Sequence, residues 1–292
     1  MSKITTNPMN SPQEELTRKD LRAAAALLSS DEARYLVNMY YQRQADRMRT
    51  NSQIRELNKD QKPNALLVYM SSNAEHLEGL IKKALGDYVD GHPIGKWLIS
   101  IYGIGPIIAA GLLAHIDITK TATAGGLWRF AGLDPTVKWE KGQKRPFNAD
   151  LKKLCWHAGQ SWMKLASRDQ CFYGKLYKER KEYEIKRNDA GENADQAAIG
   201  LTRYGRDTQA YKYCLDGKLP PAQLDARARR WTVKIFLSHL HKLWYEHHYQ
   251  KPVPAPFAIA ILGHAHMIEP PPTGAPTTEH ADFGLMNNFT EE

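Results

Sequence analysis

Cysteine is scarce. Cys155, Cys171 and Cys214 are the only three in 292 residues, an odd number without a C-x-x-C pair. That excludes a disulfide framework and a thiolate zinc site, and a reducing compartment is expected. Long apolar runs are also missing: no stretch of 18 or more apolar residues occurs, so no membrane span is expected. No charged-then-apolar leader follows Met1, so export is not expected and the location reads as cytoplasmic. Segments alternating with period two are few, which leaves an all-α chain. The stretch from Glu269 to Glu292 has no Lys or Arg but five acids and four prolines, a composition that cannot build a core.

Charge is abundant and uneven. The net charge is +8 and the pI about 9.2. Between Lys120 and Arg187 stand 16 basic and 7 acidic residues, so this block carries the whole excess. A clustered cationic block points to a polyanionic partner, because cations that neutralise phosphates release condensed counterions. A solvated charged face is the competing reading.

At 33.2 kDa the chain is two compact units or one large helical one. Ser11-Pro12-Gln13-Glu14 has the pattern of a capping box and opens a helix reaching Leu28, after a loose arm of ten residues. Ser29-Ser30-Asp31-Glu32 caps a long amphipathic helix that breaks near Lys62-Pro63, with too few heptads for a regular coiled coil. A third helix, from about Asn64 to Leu85, completes a hairpin. Shorter helices are expected from Ile94 to Ile101, Pro106 to His115 and Thr123 to Ala131. Asn148 caps a helix burying Leu151, Leu154, Cys155, Ala158, Trp162 and Leu165. Further helices cover Tyr173 to Lys186 and Asp225 to Tyr249. Asn188 to Pro221 reads as an insertion or mobile connection, and Pro270-Pro271-Pro272 begins a tail expected to be disordered. The expected architecture has three parts: an N-terminal arm and helical hairpin (1–90), a central nucleic-acid-binding region with a C-terminal helical cap (91–255), and a disordered acidic tail (269–292).

Ile101-Tyr102-Gly103-Ile104-Gly105-Pro106 has the pattern of a helix-hairpin-helix. Two glycines serve a turn with unusual dihedrals and leave room for a phosphate to reach the N–H groups opening the next helix. Pro106 fits the first helical position, and Ala109, Ala110 and Gly111 are small enough to pack against the preceding helix. Such a hairpin binds backbone phosphate without reading sequence. On this reading Gly103, Ile104 and Gly105 hold a phosphate, flanked by Lys96 and Lys120. Lys138, Lys141, Lys144, Arg145, Lys152 and Lys153 follow the backbone, and Trp139 stacks on bases.

IYGIGPIIAAGLLAHI at Ile101 to Ile116, LWRFAGLDP at Leu127 to Pro135, FYGKLYKERKEYE and ARARRWTVKIFLSHLHKLWYE together resemble the C-terminal half of the bridge-RNA-guided insertion-sequence transposases of the IS-one-ten and IS-one-one-six type. Glu32 to Ile54 is similar to the helical segment preceding that half. The resemblance implies a transposase's binding half handling DNA, with structured RNA as the other partner. It also implies two catalytic elements that are not found here. The family's RNase-H-like domain with its acidic tetrad has only thirty residues available before Asp31. Where the family places a serine nucleophile after GLDP, this chain reads Val137-Lys138-Trp139-Glu140-Lys141-Gly142.

Other constellations are weaker. His239, His241, His247, His248, His264 and His266 read as satisfied or solvated histidines rather than metal ligands. Asp134 and Glu140 read as salt-bridge partners, and Trp156 and Trp162 as core residues. The expectation is a DNA-binding protein of mobile-element or phage origin, with no catalytic residue, metal or cofactor of its own and a homodimer surface on its N-terminal helices. The alternatives are an active transposase or recombinase subunit, and an interaction protein docking through its acidic tail.

Overall fold

A computed structural model describes residues 17–60, 64–254 and 268–272. Among the described residues there are eleven α-helices and a 3-10 turn but no strand, so the chain is all-α as expected. No helix there is long and apolar enough to cross a membrane. The first helix, α1 (Arg18–Ala26), opens on a capping box made by Thr17 and Asp20, with Thr17 in extended conformation. The expected helix, as far as it is described, thus runs from a cap at Thr17 to Ala26; Ser11 to Glu14 lies outside the described residues.

The long helices α2 (Ser30–Asp60) and α3 (Ala65–Asp90) pack as a hairpin. Ser29 and Glu32 exchange hydrogen bonds at the start of α2, and the Asn64 side chain accepts from Leu66 N–H at the start of α3. Their seam is partly polar. Glu78, 8% exposed, takes both Nε and a terminal nitrogen of Arg47 (2.7 and 3.2 Å) and the amide of Gln44, while Ser71 donates to Asn51. A buried carboxylate is tolerable only with such partners, which is why this pair shows no regular apolar heptad. On α3, Leu66, Met70, Leu77 and Leu80 are exposed.

Next come α4 (Gly95–Ser100), α5 (Pro106–His115) and α6 (Ala124–Phe130), with a 3-10 turn at Ile118–Lys120. Eight of the ten residues of α5 are buried, because α2, α3, α4 and α7 (Ala149–Lys164) surround it. A Cβ on Gly111 would meet the Leu154 side chain at 2.6 Å, so its close packing is against α7, not the preceding helix. The six apolar residues expected inside α7 are all buried. Trp156 is not core; it is 37% exposed.

The last helices are α8 (Phe172–Asp189), α9 (Ala194–Gly200), α10 (Gln209–Leu215) and α11 (Pro221–Tyr249). Asn188 to Pro221 is thus folded rather than a mobile connection. It has its own small core of Ala197, Cys214, Leu219 and Leu224. The Asn188 side chain also holds both the N–H and the carbonyl of Leu219.

The expected tail is corrected at its start. Trp97 Nε1 donates to Pro271 O (3.3 Å), His239 Nε2 lies 2.7 Å from Ile268 O, and Lys242 pairs with Glu269. The segment 268–272 is therefore docked across α4 and α11; the rest of the tail, with Phe283 and Phe289, lies outside the described residues.

Candidate nucleic-acid interface

The turn between α4 and α5 is set by its glycines in two different ways. Gly103 has φ +94°, which disfavours any side chain, and a Cβ there would lie 2.9 Å from Ser161 Oγ. Ser161 Oγ donates to Gly103 O (2.8 Å) and Trp162 Nε1 to Tyr102 O (3.1 Å), so α7 clamps the turn from below. Gly105, the N-cap of α5, has φ −99° and ψ 176°, extended backbone open to any residue. The expectation that both glycines serve unusual dihedrals is therefore corrected to Gly103 alone. A Cβ on Gly105 would meet nothing within 4 Å, so the approach to the first N–H groups of α5 is open. The Ile104 side chain is buried, which leaves only its backbone for a ligand.

A cleft of about 660 Å³ opens beside Pro106, between α2, α3 and α5, and Arg47, Lys82 and Lys83 line it together with Glu75 and Glu78. These cations of the long hairpin were not anticipated from sequence. Lys96 is exposed on α4. Lys120 follows the C-terminal end of α5, roughly 15 Å of helix from Gly105, and pairs with Asp117 at 3.0 Å. It therefore flanks the other end of α5.

The loop from Val137 to Phe147 is organised around Trp139, whose Nε1 donates to Gln143 O (2.9 Å) and whose ring carries the Arg145 guanidinium at 5.5 Å. One ring face is thus already occupied. Gly142 turns the loop with φ +94°, and Asn148 N–H donates to Phe130 O to tie its end to α6. Lys138, Lys141 and Lys144 are exposed. Asp134 caps Thr136 through both its N–H and its hydroxyl, which holds the carboxyl below its ordinary range. It is a turn residue, and Glu140 accepts from Gln143 rather than from a cation.

Lys152 and Lys153 diverge. Lys152 lies over the Phe147 ring (4.3 Å) on the α11 side of α7, whereas Lys153 lies over Tyr41 of α2 (4.8 Å). Facing Lys152 are cations of α11. Arg227 pairs with Glu184, and Arg229 with Asp225 at 2.7 Å. Arg230 and Lys234 make no ion pair among the described residues. Burial, and then Arg227 and Arg229, push the Arg230 guanidinium below its usual range. Lys234 is lowered by burial and then by Arg180 and Arg230, against a smaller opposite effect of Asp134. Lys152 is lowered by burial and then by Arg230 and Arg145. The A-R-A-R-R-W-T-V-K run carried this signal in sequence, but it lies outside the block from Lys120 to Arg187.

The buried histidines are structural. His239 Nδ1 lies 2.9 Å from the Tyr173 hydroxyl, and His241 Nε2 lies 2.8 Å from Thr121 O. His157 stacks on Tyr41 at 4.9 Å, and neither ring nitrogen has a hydrogen-bond partner among the described residues. His247 and His248 are exposed, and His264 and His266 lie outside the described residues. No group of three or more His, Cys, Asp or Glu side chains converges among the described residues. Burial raises the thiols of Cys155 (to about 12) and Cys171 (to about 11), as structural cysteines require.

An open helix start with cations nearby has the chemistry to take a phosphate group. Residues 95–173, from α4 into α8, match the model of the Transposase IS116/IS110/IS902 family. Of the four segments that carried the resemblance, those at Ile101 to Ile116 and Leu127 to Pro135 lie within the matched residues. No curated protein and no solved structure matches the chain.

Proposed function

We propose that the protein binds the sugar-phosphate backbone of nucleic acid, DNA foremost, as the binding part of a transposase-type machine, without catalysis of its own. The α4–α5 pair acts as a helix-hairpin-helix. The observation that carries this reading is Gly105: the fold makes no demand for glycine there, yet its bare Cα opens the start of α5 to a ligand. A backbone phosphate seated there receives N–H donors and the positive end of the helix dipole. Lys82 and Lys83 supply long-range attraction from the neighbouring cleft, and the exposed Lys138, Lys141 and Lys144 extend it along the loop.

The test is a gel-shift series with duplex, single-stranded and branched DNA and structured RNA at two salt concentrations. Sequence-blind binding that weakens steeply as salt rises is the expected result. Affinity indifferent to salt, or no binding to any of these, overturns it. A second reading, an active transposase subunit, draws on the family match at residues 95–173. A protein-linked DNA strand trapped on a suicide substrate would establish it in place of the first.

A further inference from the structure

We propose that Arg230 and Lys234 of α11, together with Lys152 of α7, form a second phosphate-binding cluster, separate from the α4–α5 hairpin, that takes a nucleic-acid backbone. This rests on the reading of the protein as a nucleic-acid binder and adds a site to it.

Three observations carry it. The first is a contrast within one helix: Arg227 and Arg229 each have a carboxylate partner, whereas Arg230 and Lys234 have none among the described residues. Folding has brought Arg230 near both lysines, and the one carboxylate that acts on Lys234, Asp134, is engaged by Thr136 and makes no ion pair with it. Secondly, burial lowers all three groups and Arg230 then acts on both lysines, so a bound anion would favour their charged forms. Thirdly, the lysine stems are already placed on aromatic rings. Lys152 lies over Phe147 at 4.3 Å and Lys234 over Trp128 at 5.4 Å, and Trp128 Nε1 donates to the Lys234 carbonyl (2.9 Å). Little side-chain freedom is left to lose on binding.

The cluster does not share the hairpin's surface. Ser161, which holds the turn, and Lys152 are nine residues apart on α7, roughly 900° of helical rotation and so about half a turn apart around the helix. The two sites therefore contribute independently, and their effects on affinity multiply.

The experiment uses the full chain carrying Arg230→Gln with Lys234→Gln, with Gly105→Val for comparison. Binding of a labelled DNA duplex is followed by anisotropy across a salt series. The double variant is expected to lose about tenfold in affinity at low salt and to flatten the slope of log K against log salt by about two. Combined with Gly105→Val, the losses multiply. Arg230→Lys keeps the charge and should restore the slope at that position, which separates lost charge from a disturbed fold. An unchanged slope in the double variant overturns the proposal. If the wild type binds no nucleic acid, the underlying reading falls, and melting in inorganic phosphate then decides the cluster alone. Protection by phosphate that disappears in the double variant keeps it as an anion site, and equal protection removes it.

Discussion

The two proposed phosphate sites, the α4–α5 hairpin and the α7–α11 cation cluster, are built by opposite means. At the hairpin the contact is backbone, fixed by core packing: α7 grips Tyr102 and Gly103 through Trp162 and Ser161, and only the start of α5 is left open. At the cluster the proposed contact is side-chain charge, held by half-buried cations of which Arg230 acts on both lysines. Damage to the packing that fixes the first site is therefore expected to appear as lost stability, and damage to the second site as lost affinity.

Trp162→Ala breaks the hairpin side hardest. The ring is fully buried, packs on Tyr173 and Phe236 and holds the turn through its N–H. Its removal is expected to cost about 3–5 kcal/mol by urea unfolding, against less than ~1 kcal/mol for Arg230→Gln. Equal losses would erase the distinction.

Acid tests the inner face of α7. Burial, then Lys153 and Lys164, depress the His157 ring from 6.5 to about 4. The unfolded chain thus takes up a proton over this range that the folded chain refuses. Stability from the neutral ring is complete above pH 6.5 and is lost as pH falls toward 4, by up to roughly 3 kcal/mol. His92, depressed to about 4 by burial and His247, shares the window. His157→Phe keeps the stack on Tyr41 and should flatten the fall in unfolding free energy between pH 6.5 and 4.5. An unchanged slope would show that His157 is not the ring that titrates.

The two glycines sharpen the comparison within the hairpin itself. Gly103→Val meets a positive φ and the Ser161 side chain, and is expected to cost about 2 kcal/mol or more. Gly105→Val meets open space in an extended conformation, so its unfolding free energy should stay within about 0.5 kcal/mol of wild type while nucleic-acid affinity drops. A Gly105→Val protein that binds like wild type would leave the hairpin as a structural turn.

Local signals were legible in the sequence. Ser29 with Glu32, Asn64, Thr123 and Asn148 cap helices where their side chains predict, because capping involves partners two or three residues away. Pro106 opens α5 for the same kind of reason. What escaped depends on partners distant in the chain. Nothing local says that α11 crosses α7, so Arg230 and Lys234 could not be set beside Lys152. Nor does a polar, glycine-containing stretch reveal that Asn188 will pin Leu219 and let α9 and α10 fold. The divergence of Lys152 and Lys153 follows from helical rotation of roughly 100° per residue and was within reach.

The smallest effect concerns residues 268–272, which bridge the two regions by touching Trp97 on the hairpin side and Lys242 on α11. Ending the chain at Ile268 removes the Glu269–Lys242 pair and the Trp97 bond to Pro271. Glu269 is mostly exposed and the indole bond is long at 3.3 Å, so the loss should stay below about 1 kcal/mol. The same truncation deletes five acids, opposite in charge to the cationic block and tethered near it, which are expected to compete with nucleic acid for that block. Affinity is therefore expected to rise several-fold at low salt and to change little near physiological ionic strength, where the attraction is screened. Melting and anisotropy on the truncated chain read the two effects separately. A loss of several kcal/mol would make the segment an integral part of the core, and unchanged affinity at low salt would show the acids to be bystanders.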